Sequence, residues 1–305
     1  MAQHFYPLKH WSAYAVAGFD AQDFLQRLTS QNYKTHRVGQ AKDMAVLTAT
    51  GDVIGYSVGW NVEPGVFGFM ADAQEIPVLL EKLEMFHFAE RLEIKALPDL
   101  TTMILFNKHP EQVADGAVLG QSALEPGLCG QTNLNGLRVT WLTRKGLCAS
   151  DLWFILPQAQ QPHVAEMLKS QKIVPASEAQ FEFYRIRAGW PKRGVDYDEE
   201  SMILSVGLRL GAAFGKGCYP GQEVVERATA IGSSPQTLAT VKLSKMPDAV
   251  PPMLLSVEGR EAGRVTSIAE LDGTILGLGQ IRTKQAGLNK AVQVADSPAE
   301  IVALY

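Results

Sequence analysis

Six short apolar runs crowd the stretch from 236 to 305: TLATVKLS, MLLSVEG, AGRVTSIAE, ILGLGQIR, AVQVA and AEIVALY. Glycine, proline or charged residues separate them from one another. Runs this short, rich in β-branched residues and divided by turn chemistry, read as strands and not as helices. Several short strands that must leave no open edge are satisfied by closing on themselves. The spacing therefore predicts a small antiparallel β-barrel over 236–305, with residues 1–235 forming a separate module.

That larger module alternates strands and helices. Ala21, Phe24, Leu25 and Leu28 follow helical spacing behind Asp20, which predicts a capped helix over about 21–31. AVLTAT, GDVIGYSVGW and GVFGFMA, parted by turn residues, read as a β-meander. A helix over 73–92 follows, with Pro77 in its first turn. The stretches FGFMADAQEIPVLLEKL and LWFILPQAQQPHVAEML both run strand, Ala-Gln, proline, helix, about 86 residues apart. The recurrence suggests two similar α/β halves. Ser177 and Gln180 have the form of a capping box, and Gly189 ends the helix that they open.

Composition narrows the chemistry. A net charge of −4 does not suit a protein that coats nucleic acid. No apolar run reaches the length of a membrane span, and the N-terminus lacks the pattern of a secretory signal, so a cytoplasmic protein is expected. Three cysteines, Cys129, Cys148 and Cys218, with no CxxC, argue for reduced thiols and against both a disulfide framework and a zinc site. No phosphate-binding glycine loop occurs, and no histidine adjoins Cys218.

Cys218 has the most suggestive surroundings, FGKGCYPGQEVVER. Pro220 suits a first helical turn, and Val224, Val225, Ala228 and Ile231 share one face of the helix that follows. A thiol just ahead of a helix N-terminus, near Lys216 and Arg227, is expected to be ionised more easily than a free one. Gly217 and Gly221 allow a sharp bend or a close approach. The other reading is a small buried hydrophobe in a tight turn.

The residues Lys216-Gly217-Cys218-Tyr219-Pro220-Gly221-Gln222-Glu223 resemble the K-G-C-Y-x-G-Q-E signature of the YgfZ-type folate-binding proteins, relatives of the glycine-cleavage T-protein. GFDAQDFLQRLTSQN and YRIRAGWPKRG are similar to two further segments of that family. The resemblance implies an α+β fold: two ferredoxin-like α/β portions around a central cavity, plus a small C-terminal antiparallel β-barrel. It implies tetrahydrofolate, or a one-carbon derivative, as cofactor. It also implies a role in iron–sulfur cluster assembly or repair, with iron–sulfur client or assembly proteins as partners, no membrane, and an indirect effect on thiolation-type tRNA modification. Cys218 takes the place of the family's working cysteine, and direct tRNA contact stays open.

Two departures bear on mechanism. T-protein relatives carry an Asp-Asp pair where this chain has Gly55 and Tyr56, which disfavours aminomethyl transfer. Relatives often have glutamate where this chain has Arg187, so a pterin would need another acid, such as Asp196. Arg185 and Arg187 are alternatively candidates for the glutamate tail of folate, and Trp190 for stacking. Three functions follow: a folate-dependent iron–sulfur accessory factor, a one-carbon transferase, or a folate-binding scaffold with an incidental thiol.

Overall fold

The structure is a computed structural model that describes residues 3–107, 125–230 and 234–305. Ile231, expected on the helix behind Cys218, lies outside the described residues. The elements run β1 (Gln3–Pro7), β2 (Trp11–Gly18), α1 (Ala21–Leu28), β3 (Gln40–Leu47), β4 (Val53–Glu63), β5 (Val66–Asp72), α2 (Ile76–Met85), β6 (Leu92–Leu97) and β7 (Leu100–Asn107). Then come β8 (Cys129–Leu134), β9 (Leu137–Arg144), β10 (Asp151–Pro157), α3 (Gln161–Ser170), β11 (Val174–Pro175), α4 (Glu178–Arg187) and α5 (Gln222–Ala230). The chain ends with β12 (Gln236–Leu243), β13 (Met253–Val257), β14 (Arg260–Leu271), β15 (Thr274–Arg282), β16 (Ala291–Val294) and β17 (Ser297–Leu304).

The chain divides into two compact units. The first comprises Met1–Leu47, Ile54–Ala176 and Leu210–Pro220; the second comprises Thr48–Val53, Ser177–Arg209 and Gly221–Tyr305.

The first unit holds two sheets, ordered β3-β4-β5-β2-β6 and β11-β1-β7-β10-β9-β8. Tyr14, Phe24, Leu25, Phe69 and Leu79 form a core between the first sheet and α1 and α2. Phe154, Leu156, Val164 and Leu168 form the equivalent core under α3. The two recurring stretches fold alike, each a strand followed by a helix with proline in its first turn.

In the second unit, all six predicted strands close into the barrel β12-β15-β14-β13-β16-β17 around Val241, Leu255, Val265 and Ile281. Helix α4 opens on the expected capping box, Gln180 N donating to Ser177 Oγ at 3.2 Å and Ser177 N to Gln180 Oε1 at 2.9 Å. It is tied to the barrel by Thr240 Oγ1, which donates to Ile186 O at 2.8 Å.

Two helices are shorter than their periodicity suggests. Helix α1 stops at Leu28 because Ser30 turns away to the neighbouring strand, its N–H donating to Ala45 O at 2.8 Å. Asp20 does not cap α1 with its side chain; Oδ2 accepts instead from Arg91 N at 2.8 Å and Arg91 Nε at 3.2 Å. Helix α2 ends at Met85 and leaves β6 to start at Leu92.

The turn between β9 and β10 hangs on one carboxylate. Asp151 is fully buried and accepts from Leu147 N at 2.6 Å, Cys148 N at 2.9 Å and Cys148 Sγ at 2.9 Å. Burial dominates these hydrogen bonds and pushes its pKa up from 3.8 to about 6. The folded state thus holds this proton at pH values where the unfolded chain has released it. Stability is then lost as pH rises from about 4 through about 6, by about 2–3 kcal/mol. Asp151→Asn should flatten that part of the stability profile in urea titrations, and an unchanged slope would contradict this reading.

Candidate functional site

The signature loop alternates anchors and exposure. Lys216 is buried, Gly217 and Cys218 are exposed, and Tyr219 is buried again. Lys216 Nζ donates to Gln26 O in α1 and lies 4.8 Å from the centre of the Tyr219 ring. Gln26 Nε2 in turn donates to Lys216 O at 2.8 Å. Upstream, Ala213 N donates to Ser30 O at 2.8 Å and Ser30 Oγ to Gly211 O at 2.5 Å. Gly217 sits at φ +99°, and among the described residues no atom stands within 4 Å of where a Cβ would be. A side chain would have room there, so glycine is needed for the left-handed backbone alone. Cys218 is therefore held outward on a loop whose neighbours are pinned inward.

The other thiols differ. Cys129 is buried, with Sγ donating to Gln40 O at 3.0 Å, and burial raises its pKa to about 11. Cys148 is buried against Asp151.

Three sequence expectations about this loop are corrected. Helix α5 starts only at Gln222, so Cys218 precedes its first turn instead of abutting it. The Lys216 ammonium faces α1 and Tyr219, and desolvation lowers its pKa from 10.5 to about 8. Arg227 is paired with Glu223 on the exposed side of α5.

Downstream of Pro220 the motif belongs to the second unit. Gly221 has φ +81°, and a Cβ on it would stand 2.6 Å from Thr48 O. Conformation and space both demand glycine here. Gln222 Nε2 donates to Glu226 Oε1 at 2.9 Å, an interaction within α5. Gly221→Ala should therefore cost about 1–3 kcal/mol in thermal or urea unfolding, and Gly217→Ala, which meets no atoms, clearly less.

The residues expected to hold folate are engaged with one another in the second unit. Arg185 Nη1 donates to Asp196 Oδ2 at 2.7 Å and to Trp190 O at 2.7 Å. Arg185 Nη2 donates to Glu182 Oε2 at 2.9 Å and to Ser267 Oγ at 2.8 Å. Asp196 also accepts from Lys192 N at 2.9 Å, Thr266 Oγ1 at 2.6 Å and Ser267 Oγ at 2.7 Å. With four donors on two oxygens, Asp196 has no edge left for a pterin. Trp190 is buried edge-on against Phe181. Arg187 lies over the Tyr184 ring, its carbonyl accepting from Tyr305 Oη at 2.7 Å. Arg185 and Asp196 form a clasp between α4, the loop after it and β14. That pair does not fit a folate-binding set.

Where T-protein relatives carry aspartates, Gly55 lies against Leu79, whose side chain a Cβ would meet at 2.5 Å. Tyr56 Oη donates to Asp43 Oδ2. Arg144 Nη2 meets the same oxygen at 2.7 Å, and Nε donates to Asp43 Oδ1 at 3.0 Å. All three side chains are buried. Burial, with the Asp43 carboxylate second, pushes the Tyr56 phenol well up, so it remains a donor. A carboxylate thus stands beside the position of the missing aspartates, neutralised by arginine. Sequence reading missed Asp43, Arg144 and Gln26, because Arg144 lies 101 residues from Asp43 and Lys216 190 residues from Gln26, and no local pattern marks them.

Three cavities, of about 350, 780 and 320 Å³, are lined by the second unit, and Cys218 lines none of them. Among the described residues no group of three or more His, Cys, Asp or Glu side chains could hold a metal ion. No described helix is long and apolar enough to cross a membrane.

The chain has the fold of the glycine-cleavage T-protein. A crystal structure of the glycine cleavage system aminomethyltransferase T from Bartonella henselae matches 99% of this chain and 85% of its own, with a TM-score of 0.81 at 17% identity. In sequence, the chain is 25% identical over 303 residues to a chloroplastic protein of Arabidopsis thaliana to which a transferase activity is provisionally ascribed. That match spans 97% of this chain and 69% of the relative. No protein-family model matches.

Proposed function

We propose that this chain is a tetrahydrofolate-binding accessory protein for iron–sulfur cluster assembly or repair, acting in the cytoplasm, with Cys218 as its working thiol. Its partners are iron–sulfur client or assembly proteins, and effects on tRNA thiolation follow indirectly. The observation that carries the reading is the presentation of Cys218: exposed between two buried anchors, while both other thiols are buried. The T-protein fold supports folate, or a one-carbon derivative of it, as the ligand. Its contacts must come from residues other than the Arg185–Asp196 clasp.

One-carbon transfer is the second reading: the fold is that of an aminomethyltransferase, and the Arabidopsis relative is described as a transferase, with no group specified. Gly55 and Tyr56 speak against it, because neither can accept a proton as an aspartate can. Asp43 is no substitute while Arg144 and Tyr56 occupy it.

A glycine-cleavage assay with lipoylated carrier protein separates the two readings. The accessory reading expects no turnover above background together with saturable binding of a tetrahydrofolate derivative, followed by tryptophan fluorescence. Robust turnover would establish the transferase; absence of binding would remove folate from the proposal.

A further inference from the structure

We infer that Gln26 is the positioning residue for the Cys218 loop. The inference rests on the reading of Cys218 as the working thiol.

Gln26 sits on the face of α1 away from Ala21, Phe24, Leu25 and Leu28, yet it is only 6% exposed. A buried amide is unfavourable unless its polar atoms find partners. Gln26 finds them in two directions. Its Oε1 accepts from Tyr33 N at 2.6 Å and Lys34 N at 3.0 Å. Its Nε2 donates to Lys216 O at 2.8 Å, and its own carbonyl accepts from Lys216 Nζ. One side chain thus ties the turn after α1 to the loop that carries the thiol.

The tie acts at a sensitive place. Lys216 O belongs to the peptide group shared with Gly217, and Gly217 is the flexible link next to Cys218. Holding that peptide plane on one side, while buried Tyr219 holds the other, confines the loop's freedom to Gly217 and Cys218. Without the Gln26 amide the exposed thiol would sample a wider arc, because among the described residues nothing crowds the position of a Cβ on Gly217.

The two functions of the amide can be separated. Gln26→Glu keeps an oxygen acceptor for Tyr33 N and Lys34 N but, ionised beside the Lys216 ammonium, has no donor for Lys216 O. Gln26→Leu removes both. A nitroxide label on Cys218 reports loop mobility. The expected result for folded Gln26→Glu is a clear growth of the mobile component of its spectrum and a several-fold loss of iron–sulfur enzyme activity in cells. A native label spectrum in folded Gln26→Glu overturns the inference. Should that variant not fold, Lys216→Met tests the inference from the other side: it removes the Nζ contacts but leaves the Gln26 amide on Lys216 O, so the label should stay as immobile as in the native protein, and a mobile label there overturns the inference. Full activity of Cys218→Ser in the same cells would remove the functional reading while leaving the label result standing.

Discussion

Arg144→Leu is expected to destabilise the first unit by about 3–5 kcal/mol, the usual effect of stranding one member of a buried ion pair. Among the described residues, the Asp43 carboxylate would keep only the Tyr56 hydroxyl of its present side-chain partners, in a buried site. The triple variant Asp43→Leu, Arg144→Leu, Tyr56→Phe should recover much of that loss, because it removes both charges together with the buried hydroxyl that they satisfy. Urea denaturation of the three proteins gives the answer. A single-variant loss below about 1 kcal/mol would mean that water reaches Asp43 and that the pair is not buried as described. The result also bears on mechanism: a carboxylate held this firmly by arginine is not a mobile base.

Thiol chemistry should show the second large effect. In the native protein, Cys218 should react with a small alkylating reagent at least about a hundredfold faster than Cys129 or Cys148. The first is exposed, and the other two must wait for local opening. An opening free energy of only about 3 kcal/mol slows a reaction by that factor. Quantifying each labelled cysteine by mass spectrometry over time measures all three rates together. Comparable rates would show that the loop or the two cores are looser than the packing implies.

The barrel was legible because its strands repeat a short pattern between clear turn signals, a local property of the sequence. The same holds for the capping box at Ser177 and the prolines that open α2 and α3. Strands β1, β6 and β8 were not legible. QHFYP is short and ends in proline, LEIKAL has its residues half-buried or exposed, and CGQTNL is largely polar; each is a strand through its neighbours in the sheet. The site divided in the same way. Exposure of Cys218 agreed with its glycine-rich setting. The role of Lys216 did not follow from its spacing, because its partner Gln26 lies 190 residues away in sequence. Asp196 looked like a ligand from its charge, but two of its donors, Thr266 and Ser267, come from the barrel and saturate it. Local chemistry is visible in a sequence; who satisfies a buried charge is decided by the fold.

Replacing Cys218 by serine changes one exposed atom and none of the anchors around it. The decisive measurement is iron–sulfur enzyme activity in cells that lack the native protein and are supplied with either the native chain or Cys218→Ser at matched abundance. If the thiol does the work, the serine protein melts like the native one and restores little or no activity. Restoration to the native level would contradict the assignment of function to Cys218.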